Sequence, residues 1–409
     1  MLRLSIAAKP AHTPSTIKVH QSETEVESLR SFWTELQHHP NSDIDHFLLV
    51  CRLRSLSPCV LSLWDGGACR CIVVGRVEPL AMQPRIGYLK LPSLGVRALT
   101  FINEGVIGSM GPIEAEQLGD RVAQLLADQV ADLATFNCLR EDSTMLAYVN
   151  RIKNRRTGVT GLHWAEHREL TLQSQPGFLV TAMKSKHRSW IRKKIRDLES
   201  AFPAETRWHW HTKIEEVISL CEQIEKVAAR TYQRGLDAGF KNDEEHRSRF
   251  SLFARRGVLR IMIFEINHQP AAFWLGVVYN GTFHSEATGY VTELAEYEIG
   301  TQIFLRMVDE LVREGVHKFD FGLGDAHYKQ RFGDFSWRET SIRLFRRDWK
   351  MNVLRGYLAP FEMLDRVLRR LVNKFGVVDS IKQIWRRRLA HKIKSAETET
   401  TRSSKLGSH

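Results

Sequence analysis

Leu259-Arg260-Ile261-Met262-Ile263-Phe264-Glu265-Ile266, Ala271-Ala272-Phe273-Trp274-Leu275-Gly276-Val277-Val278-Tyr279 and Thr282-Phe283-His284-Ser285-Glu286-Ala287-Thr288-Gly289 decide the fold. These runs are rich in β-branched and aromatic residues, and short turn words separate them: Asn267-His268-Gln269-Pro270, then Asn280-Gly281. Asn-Gly between two such runs is the strongest short-range hairpin signal, so three antiparallel strands are specified locally. Downstream, Ile299, Ile303, Phe304, Met307, Val308, Leu311 and Val312 recur at helical spacing up to Gly315, and Val316–Gly322 returns as a strand. A strand, a helix and a returning strand form a crossover unit whose two strands run parallel if adjacent. A short turn or helix at Ala326–Phe332 and a last strand, Thr340–Arg346, complete this half.

Before the meander, Ile191, Ile195, Leu198 and Phe202 mark a helix with a basic opposite face, and further amphipathic helices are expected over 213–232 and around Arg247–Ala254. In the first half, Val26, Leu29, Phe32, Trp33 and Leu36 predict one helix. Strands are expected at Phe47–Leu53, Cys59–Trp64, Cys69–Val77 (after the Asp65-Gly66-Gly67 turn) and Ala98–Ile102, then a helix over 113–135. The reading is α+β, with mixed, largely antiparallel sheets and basic helices at the C-terminal end.

A chain of 409 residues exceeds what one hydrophobic core usually supports, so two compact domains are expected. The expected boundaries are a loose end over 1–20, a first domain over 21–170, a second over 175–347, a basic helical extension over 350–395 and a polar tail over 396–409. No apolar run reaches the ~18 residues of a membrane helix, and the opening residues are too interrupted for a signal peptide, so a cytoplasmic protein is expected. Six scattered cysteines are too sparse for a disulfide scaffold, so reduced thiols are expected, and Cys69-x-Cys71 lacks a second ligand pair for zinc. No metal site is expected. The formal charge of +12 favours anionic partners such as CoA phosphates, nucleic acid or anionic lipid, without choosing among them.

The order of these elements, together with Gln269-Pro270-Ala271-Ala272-Phe273-Trp274-Leu275-Gly276, Ile299-Gly300-Thr301 and Asp320-Phe321-Gly322-Leu323-Gly324-Asp325-Ala326-His327-Tyr328-Lys329, resembles the GNAT superfamily. Within it the likeness is to the CelD-like acetyltransferases associated with cellulose and exopolysaccharide biosynthesis, which are related to the Fem-type peptidyltransferases. The resemblance covers about 175–347, and residues 1–165 resemble a degenerate second copy, which implies tandem GNAT-like domains. It implies transfer of an acyl group from acetyl-CoA or another acyl-CoA to an amine or hydroxyl acceptor, on a sugar or cell-envelope precursor. The alternatives are a Fem-type aminoacyl-tRNA-dependent transferase, or a non-catalytic accessory protein that binds a synthase, a polysaccharide or a membrane.

In such a protein Gly300 and Thr301 would present helix N-terminal amides to the donor phosphates. Glu298 departs from the family's usual basic and glycine-rich turn. The resemblance also assigns Gly324, Asp325 and Lys329 to the donor site and makes Tyr328 the acid that protonates the leaving thiolate. His284 and Glu286, two apart on one strand, are candidates for the general base that receives the acceptor's proton. Arg188, Arg192, Lys193 and Arg196 share much of one helix face, with Lys184 and Lys186 just upstream, and Lys186, Arg188 and Arg192 in particular can grip phosphates or a polyanionic acceptor. Asp320-Phe321-Gly322 spells a kinase word without the accompanying loops, and His209-Trp210-His211 lacks a third metal ligand. The basic apolar helices after Trp349 are expected to dock on the transferase core or to lie at the inner face of a membrane.

Overall fold

A computed structural model describes residues 15–374 apart from 87–88, 154–158, 162–163, 204, 232–233, 235–238 and 325. The chain divides into two compact units, the first of residues 1–84, 91–164 and 339–358, the second of 85–90, 165–338 and 359–409.

In the second unit the strands run in the order Ala165–Thr171, Lys318–Leu323, Thr282–Tyr290, Gln269–Tyr279, Leu259–Ile266, Thr206–His211. All neighbours are antiparallel except Thr282–Tyr290 with Lys318–Leu323, the parallel pair that the crossover pattern predicts. At the second hairpin, Asn280 and Gly281 adopt φ of 47° and 73°. Left-handed values at both central residues match the right-handed twist of the flanking strands, which is why Asn-Gly is effective there. The helix Ile299–Arg313 buries Ile299, Ile303, Phe304, Met307, Val308 and Leu311 against the aromatic rings of the sheet. Phe304 lies 5.3 Å from both Trp274 and Phe319.

The first unit has the same succession. Its strands run Thr16–His20, Val60–Asp65, Ala68–Met82, Leu94–Gly108, Leu133–Arg140, and then residues 339–345 of the strand Phe335–Phe345. Leu94–Gly108 and Leu133–Arg140 are parallel, joined by the helix Pro112–Ala127.

Several local expectations change. Phe47–Leu53 is not a strand but part of a helix, Ile44–Leu53, because Asp43 caps it by accepting from the His46 amide. Its apolar residues Ile44, Phe47, Leu48 and Cys51 then share one buried face. The single helix predicted through Leu36 is two, Glu23–Glu27 and Arg30–Leu36. The helix expected over 113–135 ends at Ala127, and Leu133 onward is the parallel strand, a short apolar run that periodicity alone does not separate from a helix. Residues 339–345 pair antiparallel with Leu133–Arg140, whereas in the second unit Ala165–Thr171 pairs with Lys318–Leu323. The last strand was expected beside the second half, but alternation specifies a strand and not its neighbour. The basic segment begins as one helix, Trp349–Lys374, and the remainder of the extension expected to 395 lies outside the described residues.

Candidate active site

Strand alternation places Phe319 and Phe321 in the second unit's core and turns Asp320 to the opposite side of the sheet. On the neighbouring strand Phe283 enters the same core, and His284 is the register partner of Asp320. Parallel pairing runs from Thr282–Lys318 to His284–Asp320 and stops there, although the two strands continue to Tyr290 and Leu323. The strands therefore part immediately beyond a histidine–aspartate rung.

Asp320 is buried and accepts three hydrogen bonds. His284 Nδ1 lies 3.0 Å from its Oδ2, and His167 Nε2 lies 2.6 Å from Oδ1. The Gly322 amide, 2.6 Å away, also donates to Oδ1. Gly322 holds φ at +68°, a left-handed value that glycine reaches without steric cost, and this bends the strand end back on the carboxylate. Burial alone would push the Asp320 carboxyl up, but the bonds and charges of His167 and His284 outweigh it and hold the group ionised, well below the usual carboxylate range. His167 is itself fixed by stacking on Trp337, with ring centroids 4.2 Å apart. An ionised carboxylate requires that His284 carry its proton on Nδ1, which makes Nε2 the basic nitrogen.

Glu286, the second candidate base, sits at a bulge. Gly276 faces Ser285 and Leu275 faces Ala287, so Glu286 has no partner on the adjacent strand. Its carboxylate receives both Arg249 contacts, at 3.1 and 3.2 Å. Tyr328, the second residue of the short helix His327–Phe332, is half-buried, with its ring edge-on to Trp274 at 5.8 Å. Lys329 is buried and donates to the carbonyls of Phe321 (2.6 Å), Gly322 (3.2 Å) and Leu323 (2.7 Å), thereby holding the loop after the parallel strand. Gly324 donates its amide to the Glu166 carbonyl at 2.9 Å. Asp325 lies outside the described residues.

At the entry of Ile299–Arg313, Glu298 occupies a left-handed conformation and its carboxylate accepts from the Thr301 hydroxyl at 3.1 Å. Gly300 lies close under the Tyr290 ring, where an added Cβ would come within 3.1 Å. Lys186 and Arg192 are exposed on the helix Ser185–Ala201, and Arg188 donates to the Thr181 carbonyl at 3.1 Å. Arg331 donates to His187 Nδ1 at 2.7 Å, and burial together with that guanidinium lowers the His187 pKa, Glu298 opposing. The strand imidazoles His209 and His211 pair with Glu265 and Glu216.

Residues 185–330 match the family model described as the acetyltransferase (GNAT) domain. That span takes in the parting strands, His284, Asp320, Tyr328 and Lys329. Among solved structures, FemX is similar at 9% identity and a TM-score of 0.51, over 81% of this chain and 97% of that one. A tandem GNAT protein from the clavulanic acid biosynthesis pathway gives 10% identity and a TM-score of 0.48, over 81% and 98%. A conserved protein of unknown function from Bacteroides thetaiotaomicron gives 12% and 0.46, over 80% and 100%. No curated protein matches. The second unit thus has the GNAT fold.

Sequence reading singled out His284 and Tyr328 but did not give a role to Asp320 or His167. A signal for Asp320 was present: an acid between two core phenylalanines on a strand must be partnered if it is buried. For His167, 153 residues away in sequence, there was none.

Proposed function

We propose that the second unit transfers an acyl group directly from acetyl-CoA or another acyl-CoA to an amine or hydroxyl, as the CelD-like likeness suggests for a sugar or cell-envelope precursor. The observation that carries this reading is the His284–Asp320 rung at the point where the parallel strands part. A thioester held in the parting has its carbonyl beside a base already oriented by a fixed carboxylate. The acceptor's lone pair forms the new bond to the carbonyl carbon while His284 Nε2 takes its proton, and the imidazolium is stabilised by Asp320. Collapse of the tetrahedral adduct breaks the carbon–sulfur bond. The leaving thiolate takes a proton from the Tyr328 hydroxyl, a transfer from a phenol of pKa ~10 to a thiolate whose acid has pKa ~8.5. Direct transfer is supported by Cys221, the cysteine of the second unit, whose thiol is fully buried and pushed up to about 11. Gly300, Thr301, Gly324 and Asp325 would receive the donor, with Lys329 shaping the loop, and Lys186, Arg188 and Arg192 would attract its phosphates.

One observation favours the second reading, an aminoacyl-tRNA donor. The Glu298 carboxylate stands at the helix entry where a pyrophosphate would approach. Calorimetric titration with acetyl-CoA and longer acyl-CoAs, beside a thiol-release assay with candidate amines and sugars, separates the readings. Saturable binding with thiol release that falls at least tenfold in Tyr328→Phe supports acyl-CoA transfer. Absence of binding to every acyl-CoA transfers the assignment to the aminoacyl donor or to an accessory role.

A further inference from the structure

The helix Trp349–Lys374 carries two apolar faces. Met351, Leu354 and Leu358 are buried with Met82, Ala98, Leu133 and Phe345 in the first unit's core. On the opposite side Trp349 is 71% exposed, Val353 63% and Met363 64%, and Leu364 and Val367 are exposed too. At about 100° per residue these five, with Gly356 and Pro360 between them, fall within an arc of roughly 100°. The helix holds Lys350, Arg355, Arg366, Arg369, Arg370 and Lys374 against Glu362 and Asp365, a net charge of 6 − 2 = +4.

We propose that this second stripe lies on an anionic membrane surface, the helix axis parallel to the plane of the lipid headgroups. A narrow apolar arc led by tryptophan and flanked by lysine and arginine is the chemistry of an interfacial helix. Pro360 removes one amide, and the carbonyl it frees, that of Gly356, belongs to the same exposed arc, where headgroup water can satisfy it. Charge selects the occupant. A second copy would set a helix of the same positive charge against this one, and residues 375–394 add six lysines and arginines against one aspartate, whereas acidic lipids neutralise both. Among the described residues no helix is long and apolar enough to cross a membrane, so the helix lies on the bilayer rather than through it.

The test is flotation of the full chain with vesicles of phosphatidylcholine alone or mixed with phosphatidylglycerol, at low and high salt. Binding is expected only to the mixed vesicles, reversed by salt, and lowered at least about tenfold by Val353→Asp with Met363→Asp. The charge variant Arg366→Glu with Arg370→Glu is expected to lower it comparably, and unchanged thermal melting of both variants keeps unfolding apart from lost binding. Failure to float with mixed vesicles at low salt overturns the proposal, as does equal flotation of Val353→Asp with Met363→Asp. A dimer in sedimentation equilibrium that the same pair of substitutions dissociates overturns it in favour of a second copy.

Discussion

In the first unit the parallel strands are joined through Ala98–Leu133, Leu99–Ala134, Thr100–Thr135 and Phe101–Phe136, and the last two rings stack at 4.7 Å. In the second, the corresponding pair ends on His284 against Asp320. The same topology thus carries an aromatic stack at one crossover and a buried ion at the other. Burying apolar rings stabilises a sheet and can move no proton. A buried carboxylate costs desolvation that its partners only partly offset, so its presence at a strand parting marks chemistry more than stability. If the proposed transfer is right, the comparison separates a first crossover built for packing from a second that can move a proton.

The largest expected effect breaks the second crossover. His284→Gln should lower kcat/KM for acyl transfer by about a thousandfold with donor binding retained, as a general base contributes ~10²–10⁴-fold, and steady-state kinetics beside calorimetry would check it. In the first crossover, Phe101→Ala should cost about 3 kcal/mol of stability and leave the second unit's donor affinity unchanged, measured by denaturant unfolding with the same titration. Equal loss of turnover in that variant, without unfolding, would erase the contrast between the units.

Asp320→Asn should reduce turnover by about a hundredfold, since an amide holds the imidazole less firmly in the tautomer with a basic Nε2. Acid stability gives an independent reading. The folded carboxyl is depressed below its unfolded value near ~3.9, so its contribution is complete above that value and is lost as pH falls towards the folded pKa. The variant's unfolding free energy should therefore vary less than the parent's below about pH 4, measured by denaturant titration at several pH values. Glu286→Gln is expected to be the smallest change, within about fivefold in activity, because its carboxylate is held by Arg249 in a partly exposed pair worth at most ~1 kcal/mol. A thousandfold loss there would move the general base from His284 to Glu286.

Local sequence determined the antiparallel meander, the crossover helix and the parallel return, because alternation, Asn-Gly and helical spacing act over a few residues. It also brought His284 and Tyr328 forward. Tertiary structure decided what adjacent residues cannot encode. Residues 339–345 found their partner in Leu133–Arg140, a cap at Asp43 turned an apolar run into a helix, and His167 met Asp320 across 153 positions. Strand pairing, and the pairing of a buried charge, are choices among distant segments, settled by which arrangement covers the apolar faces and satisfies the ion.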